Sequence, residues 1–130
     1  MIVVDASVLA PALADDDTDG ARARERLHGE QLVAPELIDL EVVSTLRRAS
    51  RAKRLDERRS AQALSDLAAL PLRRVPHLPL LARVWQLRDN LSAYDASYVA
   101  LAEALGTVLV TADGRLERAA GIRCEIAVLS

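Results

Sequence analysis

The 130-residue chain predicts an α/β fold: a short, mostly parallel central β-sheet covered by helices on both faces. Three observations carry that prediction. The strand-like runs, such as Met1-Ile2-Val3-Val4 and Val108 to Val110, are very short and continuously apolar, as strands buried on both faces are. Helical stretches separate these runs, as crossover connections between parallel strands require. Finally, Asp5 and Asp113 fall at the carboxyl ends of predicted strands, where such sheets leave a functional crevice.

The elements follow in order. A strand from Met1 to Asp5 leads into a short helix, about Ser7 to Ala14, and the acidic turn Asp15-Asp16-Asp17. A helix is expected from about Asp19 to His28, then a brief strand from Gln31 to Ala34. Pro35 suits the first position of a helix that would run to about Ala49, because its missing N–H has no partner there. Asp56 to Leu70 predicts another helix with Leu64, Leu67, Ala68 and Leu70 inward. Leu72 to Val75 reads as a strand, and Leu78 to Arg88 as a helix built on Leu81, Val84, Trp85 and Leu87. The helix from Ser92 to Leu105 should end at Gly106, the residue type that most readily closes a helix. A buried strand at Val108 to Val110, a short helix from Asp113 to Ala119 and a strand from Glu125 to Val128 complete the chain. No repeat or linker divides it, so one domain over 1–130 is expected.

Composition narrows the function classes. With no Phe and only Trp85, Tyr94 and Tyr98 aromatic, the core must be aliphatic. The lone Cys124 excludes an intrachain disulfide and a Cys-rich zinc site, and suggests a reducing compartment. No apolar stretch approaches the roughly 20 residues a membrane helix needs, and no basic region precedes the first apolar run. A cytoplasmic location without a membrane is therefore the expectation. The net charge of −2 speaks against gross attraction to nucleic acid, yet it conceals a segregation. Arg47, Arg48, Arg51, Lys53, Arg54, Arg58 and Arg59 crowd into one segment against only Asp56 and Glu57. Such a cluster is either a solvated helix end or a surface for phosphates.

Four acids lie in or beside apolar elements: Asp5, Glu41, Asp95 and Asp113. Each has a plain local explanation. Asp5 could end its strand in an Asx turn. Asp95 follows Ser92 at capping-box spacing, and Asp113 could cap a helix. Together they suggest more, because a buried carboxylate without a positive partner is very costly. A hard divalent cation is the simplest partner for several of them. Asp39 competes with Glu41: both have apolar neighbours on a segment apolar nearly all round until Arg47, and periodicity does not separate them.

The ordered set Met1-Ile2-Val3-Val4-Asp5-Ala6-Ser7, Ala34-Pro35-Glu36-Leu37 through Glu41-Val42, Tyr94-Asp95-Ala96-Ser97-Tyr98-Val99-Ala100-Leu101-Ala102 and Val110-Thr111-Ala112-Asp113 resembles a PIN domain. More narrowly it is similar to the VapC-type toxins of bacterial toxin–antitoxin pairs. The resemblance spans essentially the whole chain. It implies a PIN-like fold and an endoribonuclease that hydrolyses RNA with Mg²⁺, or Mn²⁺ in its place. It implies catalytic roles for Asp5, Glu41 (rather than Asp39), Asp95 and Asp113, with Asp5, Asp95 and Asp113 as metal ligands. Ser7 and Thr111 match small hydroxyl positions expected to hold waters or phosphate oxygens. It also implies a VapB-like antitoxin as partner and a homodimer. Many relatives carry one more acid after the Thr-x-Asp turn; here Gly114, Arg115 and Leu116 follow, so a second ion is expected to be weakly held.

Rival readings have weaker support. A phosphoacceptor receiver domain would pair two acids after its first strand and place a lysine on a late strand. Here Asp5 has no acidic neighbour, and Lys53 is the sole lysine. A non-catalytic PIN-like binding module would be expected to have lost acids that are all present here.

Overall fold

The computed structural model describes residues 1–130. Five strands form one sheet: β1 (Ile2–Val4), β2 (Leu32–Pro35), β3 (Leu72–Val75), β4 (Leu109–Thr111) and β5 (Ile126–Val128). Their order is β3-β2-β1-β4-β5 and every pairing is parallel, so the sheet is wholly rather than mostly parallel. The helices are α1 (Ala6–Ala14), α2 (Thr18–Leu27), α3 (Ile38–Arg51), α4 (Glu57–Ala69), α5 (Leu81–Gln86), α6 (Ala93–Leu105) and α7 (Arg115–Arg118). The predicted α/β class is the observed one.

The chain steps outward from β1 to β2 to β3, then returns past β1 to β4 and β5. Right-handed crossovers place α1 to α4 on one face and α5 to α7 on the other. Accordingly α1 gathers α2, α3 and α4, while α6 packs across β1, β2 and β4. Val3, Val4, Val33, Leu109 and Val110 are buried between these layers, which is why the strands read as unbroken apolar runs. Residues Ala96 through Ala102 of α6 are all buried, and its many alanines allow a close approach to the sheet. Gly106 closes α6 at φ 62°, a left-handed conformation that costs glycine little. Because the winding reverses between β1 and β4, the crevice beyond their carboxyl ends lies at the topological switch point.

Several predicted details are corrected. Pro35 ends β2 instead of opening a helix: the ladder continues through Pro35 opposite Val75, and the Glu36 N–H still donates to the Val75 carbonyl. Helix α3 therefore starts at Ile38. Helix α4 buries Ala63 and Leu67, while Leu64 and Ala68 face outward, so its inner face is turned from the predicted one. The segment from Leu78 is two pieces, a 3-10 turn (Leu78–Leu80) with Pro79 in its first turn, and α5. Leu80 and Leu87 are its buried residues, whereas Leu81 and Trp85 are exposed. The Arg88 guanidinium lies 4.3 Å from the Trp85 ring centroid. Helix α7 starts at Arg115, two residues later than predicted.

Candidate active site

All four predicted acids border one groove of about 810 Å³ at the carboxyl ends of β1 and β4. Asp5 lies deepest, at 7% exposure, as the N-cap of α1. One carboxylate oxygen accepts from the Ser7 N–H (3.0 Å) and the Ser7 hydroxyl; the other accepts from the Thr111 hydroxyl at 2.6 Å. The Asx turn foreseen for Asp5 is thus real, and it coexists with a place in the groove. Burial holds the Asp5 carboxyl above its usual range despite these bonds, and the nearby Asp95 charge adds to the effect.

Ser7 and Thr111 do not present free hydroxyls to a ligand, as the resemblance suggested. Both donate to Asp5, and they accept in turn from backbone: the Ala112 N–H reaches Ser7 Oγ at 2.9 Å and the Asp113 N–H reaches Thr111 Oγ1 at 3.1 Å. They therefore fix Asp5 and tie the end of β1 to the turn after β4.

Helix α3 brings Glu41 to the groove. Its carboxylate accepts the Tyr98 hydroxyl proton at 2.6 Å, across from α6. Burial raises the Glu41 pKa, opposed by that bond and reinforced by Asp95 and Asp5. Tyr98 is raised as well, first by burial and then by its bond to Glu41, so it remains a phenol. Asp39 points elsewhere. It receives Arg74 Nε at 2.7 Å and Nη2 at 3.0 Å, a fork from β3 that occupies both carboxylate oxygens. The two acids that periodicity left equivalent are separated by this pair.

Asp95 stands in the first turn of α6. Half of the anticipated capping box is present, with the Asp95 N–H donating to Ser92 Oγ at 3.1 Å. The reciprocal bond from the carboxylate to the Ser92 N–H is not made, which leaves the side chain for the groove. Burial and the charge of Asp113 raise its pKa, with smaller opposing pulls from Arg115 and Ser92.

Asp113 behaves differently. Arg115 grips it through Nε (3.0 Å) and Nη2 (2.7 Å), and the Arg115 N–H adds a third bond. These bonds hold its carboxyl below the ordinary range. Asp5, Asp95 and Asp113 border one groove but do not form a closed cage: no three His, Cys, Asp or Glu side chains lie close enough to grasp an ion directly. Mutual repulsion, the hold of Ser7 and Thr111 on Asp5, and the Arg115 fork on Asp113 account for it. The donor set nonetheless fits a hydrated hard cation. It is all oxygen, and three of its carboxylates have no basic side chain as a direct partner. Mg²⁺ typically keeps several waters and takes only one or two carboxylates directly.

Tyr98, Arg48 and Arg115 border this groove too, and the sequence reading assigned them no role in it. Tyr98 lies three residues after Asp95, a spacing that puts both on one helix face. Arg115 stands where an additional acid was looked for.

A groove lined by four carboxylates at the switch point of a five-stranded parallel sheet places the chain in a class of small α/β domains with an acidic site. The family model described as PIN domain matches residues 2–122. Ribonuclease VapC9 of Mycobacterium tuberculosis is 46% identical over 129 residues, covering 99% of this chain and 98% of that protein. Among solved structures, VapC20 of Mycobacterium tuberculosis, described as a Sarcin-Ricin loop cleaving toxin, superposes with TM-score 0.72 at 19% identity, covering 95% of this chain and 97% of that one. A toxin–antitoxin complex from Klebsiella pneumoniae contains a chain with TM-score 0.67 at 20% identity, covering 100% of this chain and 98% of that one. The chain belongs to the PIN domain family, and within it to the VapC-type ribonucleases.

Proposed function

We propose that this protein is a metal-dependent endoribonuclease and the toxin of a toxin–antitoxin pair. The observation that carries the reading is the trio Asp5, Glu41 and Asp95. These carboxylates share one groove, lack a direct basic partner, and are held above their usual pKa by burial, reinforced by Asp95 at Asp5, by Asp95 and Asp5 at Glu41, and by Asp113 at Asp95. Such an arrangement is unfavourable until a cation relieves it. The receiver-type alternative loses ground on topology: receivers wind in the order 2-1-3-4-5, whereas this sheet runs β3-β2-β1-β4-β5. Lys53 also lies beyond α3 rather than on a late strand.

Asp5 and Asp95 would hold Mg²⁺ or Mn²⁺, with Asp113 joining through water or once Arg115 releases it. Bound there, the cation lowers the pKa of its water and polarises the phosphoryl oxygens. Ser7 and Thr111 keep Asp5 oriented so that its outward lone pairs face the groove. Glu41, steered by the Tyr98 hydroxyl, orients the attacking water and takes its proton; its raised pKa makes it a better base than an ordinary carboxylate. Arg115, exposed at the rim, can exchange Asp113 for a phosphate oxygen, since a guanidinium matches either partner in the same forked geometry. RNA as the substrate is supported by the names of the curated relatives.

An antitoxin partner is supported by the fold neighbour solved as a toxin–antitoxin complex. Leu40, Val43 and Leu64 are exposed on α3 and α4, which gives an amphipathic segment an apolar seat beside the groove. An Arg from that segment would pair with Asp5 or Asp95 and compete with the metal. Expression of the chain alone should therefore arrest bacterial growth. Asp5→Asn should relieve the arrest, and so should co-expression of a small neighbouring gene whose product co-purifies. Unimpaired growth with active wild-type enzyme in the cells, and no partner recovered from the native host, would reject the toxin assignment and leave the nuclease assignment standing.

A further inference from the structure

The basic segment singled out in the sequence separates into distinct parts in the fold. Arg59 is committed: it pairs with Asp16 at 3.1 Å and donates to the Leu13 carbonyl at 2.8 Å. Arg54 and Arg59 line a second hollow with Asp15, Asp16 and Asp17. Arg47, Arg48 and Arg51, at the end of α3, are exposed and belong to none of the ion pairs, and the same holds for Lys53, Arg54 and Arg58 further along the segment. Adjacent cations without counter-ions repel one another, and a polyanion relieves that repulsion.

Their placement says where the polyanion would run. Arg48 lies seven residues after Glu41, within about 20° of it around the helix and about 10 Å along the axis. It borders the carboxylate groove with Ser44 and Thr45. Its Nη2 donates to Thr45 Oγ1 at 3.2 Å, and that hydroxyl donates to the Glu41 carbonyl at 3.1 Å. This chain of bonds draws the guanidinium back along α3 toward the acids. Arg51 lies in the next turn of the same helix. A strand cut beside Glu41 thus meets Arg48 first and Arg51 after it.

We propose that the last two turns of α3 are the track for the RNA backbone, with Arg48 and Arg51 each contacting a phosphate on one side of the scissile bond. The proposal rests on the ribonuclease reading for its ligand, and its test is made on binding, without catalysis. Phosphate contacts of this kind carry affinity and register but no base specificity, and they weaken as salt displaces them. Substrate selection would then come from elsewhere in the groove.

The experiment is fluorescence anisotropy of a labelled single-stranded RNA oligonucleotide with the full-length protein in EDTA, over a range of salt concentrations. Arg48→Ala and Arg51→Ala should each weaken binding about three- to tenfold at low salt. Each should also make the plot of log affinity against log salt shallower by about 0.7. Arg48→Lys should recover the wild-type slope, which a merely structural role would not predict. Arg88→Ala, an exposed arginine on the other face of the sheet, should change neither quantity. Unaltered affinity and slope in Arg48→Ala and Arg51→Ala, while wild type still cleaves RNA with Mg²⁺, would overturn the track and spare the nuclease. Reduced slopes in a protein that never cleaves RNA would keep the track and overturn the nuclease.

Discussion

Asp95→Asn should lower RNA cleavage by roughly a thousandfold, while its folding and its far-ultraviolet circular dichroism stay those of wild type. The figure follows from the several kcal/mol that a catalytic cation supplies to a phosphoryl transition state, at tenfold in rate per 1.36 kcal/mol. Asparagine keeps the shape and removes the charge. The fold should tolerate the change because the structural bond at this position is made by the Asp95 N–H to Ser92, which the substitution leaves alone. Asp39→Asn is the opposite case. Asp39 is engaged by the Arg74 fork, away from the groove, so activity should remain within a few-fold of wild type. Its cost should appear as stability instead, about 1 kcal/mol for a partly exposed forked pair. If Asp39→Asn abolished cleavage and Glu41→Gln did not, the assignment of the helix acid would be reversed.

The second large effect concerns stability with and without cation. Asp5, Glu41 and Asp95 all have raised folded-state pKa values. A carboxyl whose folded pKa exceeds its unfolded one binds its proton more tightly in the folded state. It therefore contributes stability that is present below the unfolded pKa and lost as pH rises through the folded pKa. In chelator, wild type should accordingly lose stability relative to Asp95→Asn as pH rises from about 4 through the raised folded-state value. Asp113 and Glu103, whose pKa values are lowered, act in the opposite sense in both proteins, so the comparison between the two reads Asp95 together with its charge effect on Asp5 and Glu41. Saturating Mg²⁺ should then reverse the order. At a hundred times Kd it adds about 2.7 kcal/mol to a protein that binds only when folded, on the order of 10 °C in Tm for a chain of this size. The mutant should gain far less. Were Asp95 only a helix-capping residue, Asp95→Asn would melt lower than wild type by the same margin whether or not Mg²⁺ was present.

Much of this architecture is legible along the chain, for identifiable reasons. Strands buried on both faces leave unbroken apolar runs, so Ile2 to Val4 and Leu109 to Val110 show their positions. Gly106 marks the end of α6 because a left-handed residue is needed there. The acids stand out because each interrupts or closes an element that must be buried. What local pattern does not contain is long-range partnership. Arg74 lies 35 residues from Asp39, yet its fork is what turns Asp39 away and leaves Glu41 in the groove. The hold of Arg115 on Asp113 and of Ser7 and Thr111 on Asp5 depends likewise on side-chain geometry that spacing does not encode. Pro35 misled for a related reason: its missing N–H suits a helix start or a strand end equally, and pairing with β3 decided in favour of the strand.

The most direct test of the central claim is the cation dependence of RNA cleavage by the purified wild-type protein. A labelled RNA should be cut in Mg²⁺ or Mn²⁺, left intact in excess EDTA, and cut again when Mg²⁺ is restored above the chelator. The Asp5→Asn protein should cut in none of these conditions. Cleavage that continues undiminished in EDTA, or that survives Asp5→Asn in full, would contradict an acidic, cation-dependent nuclease site.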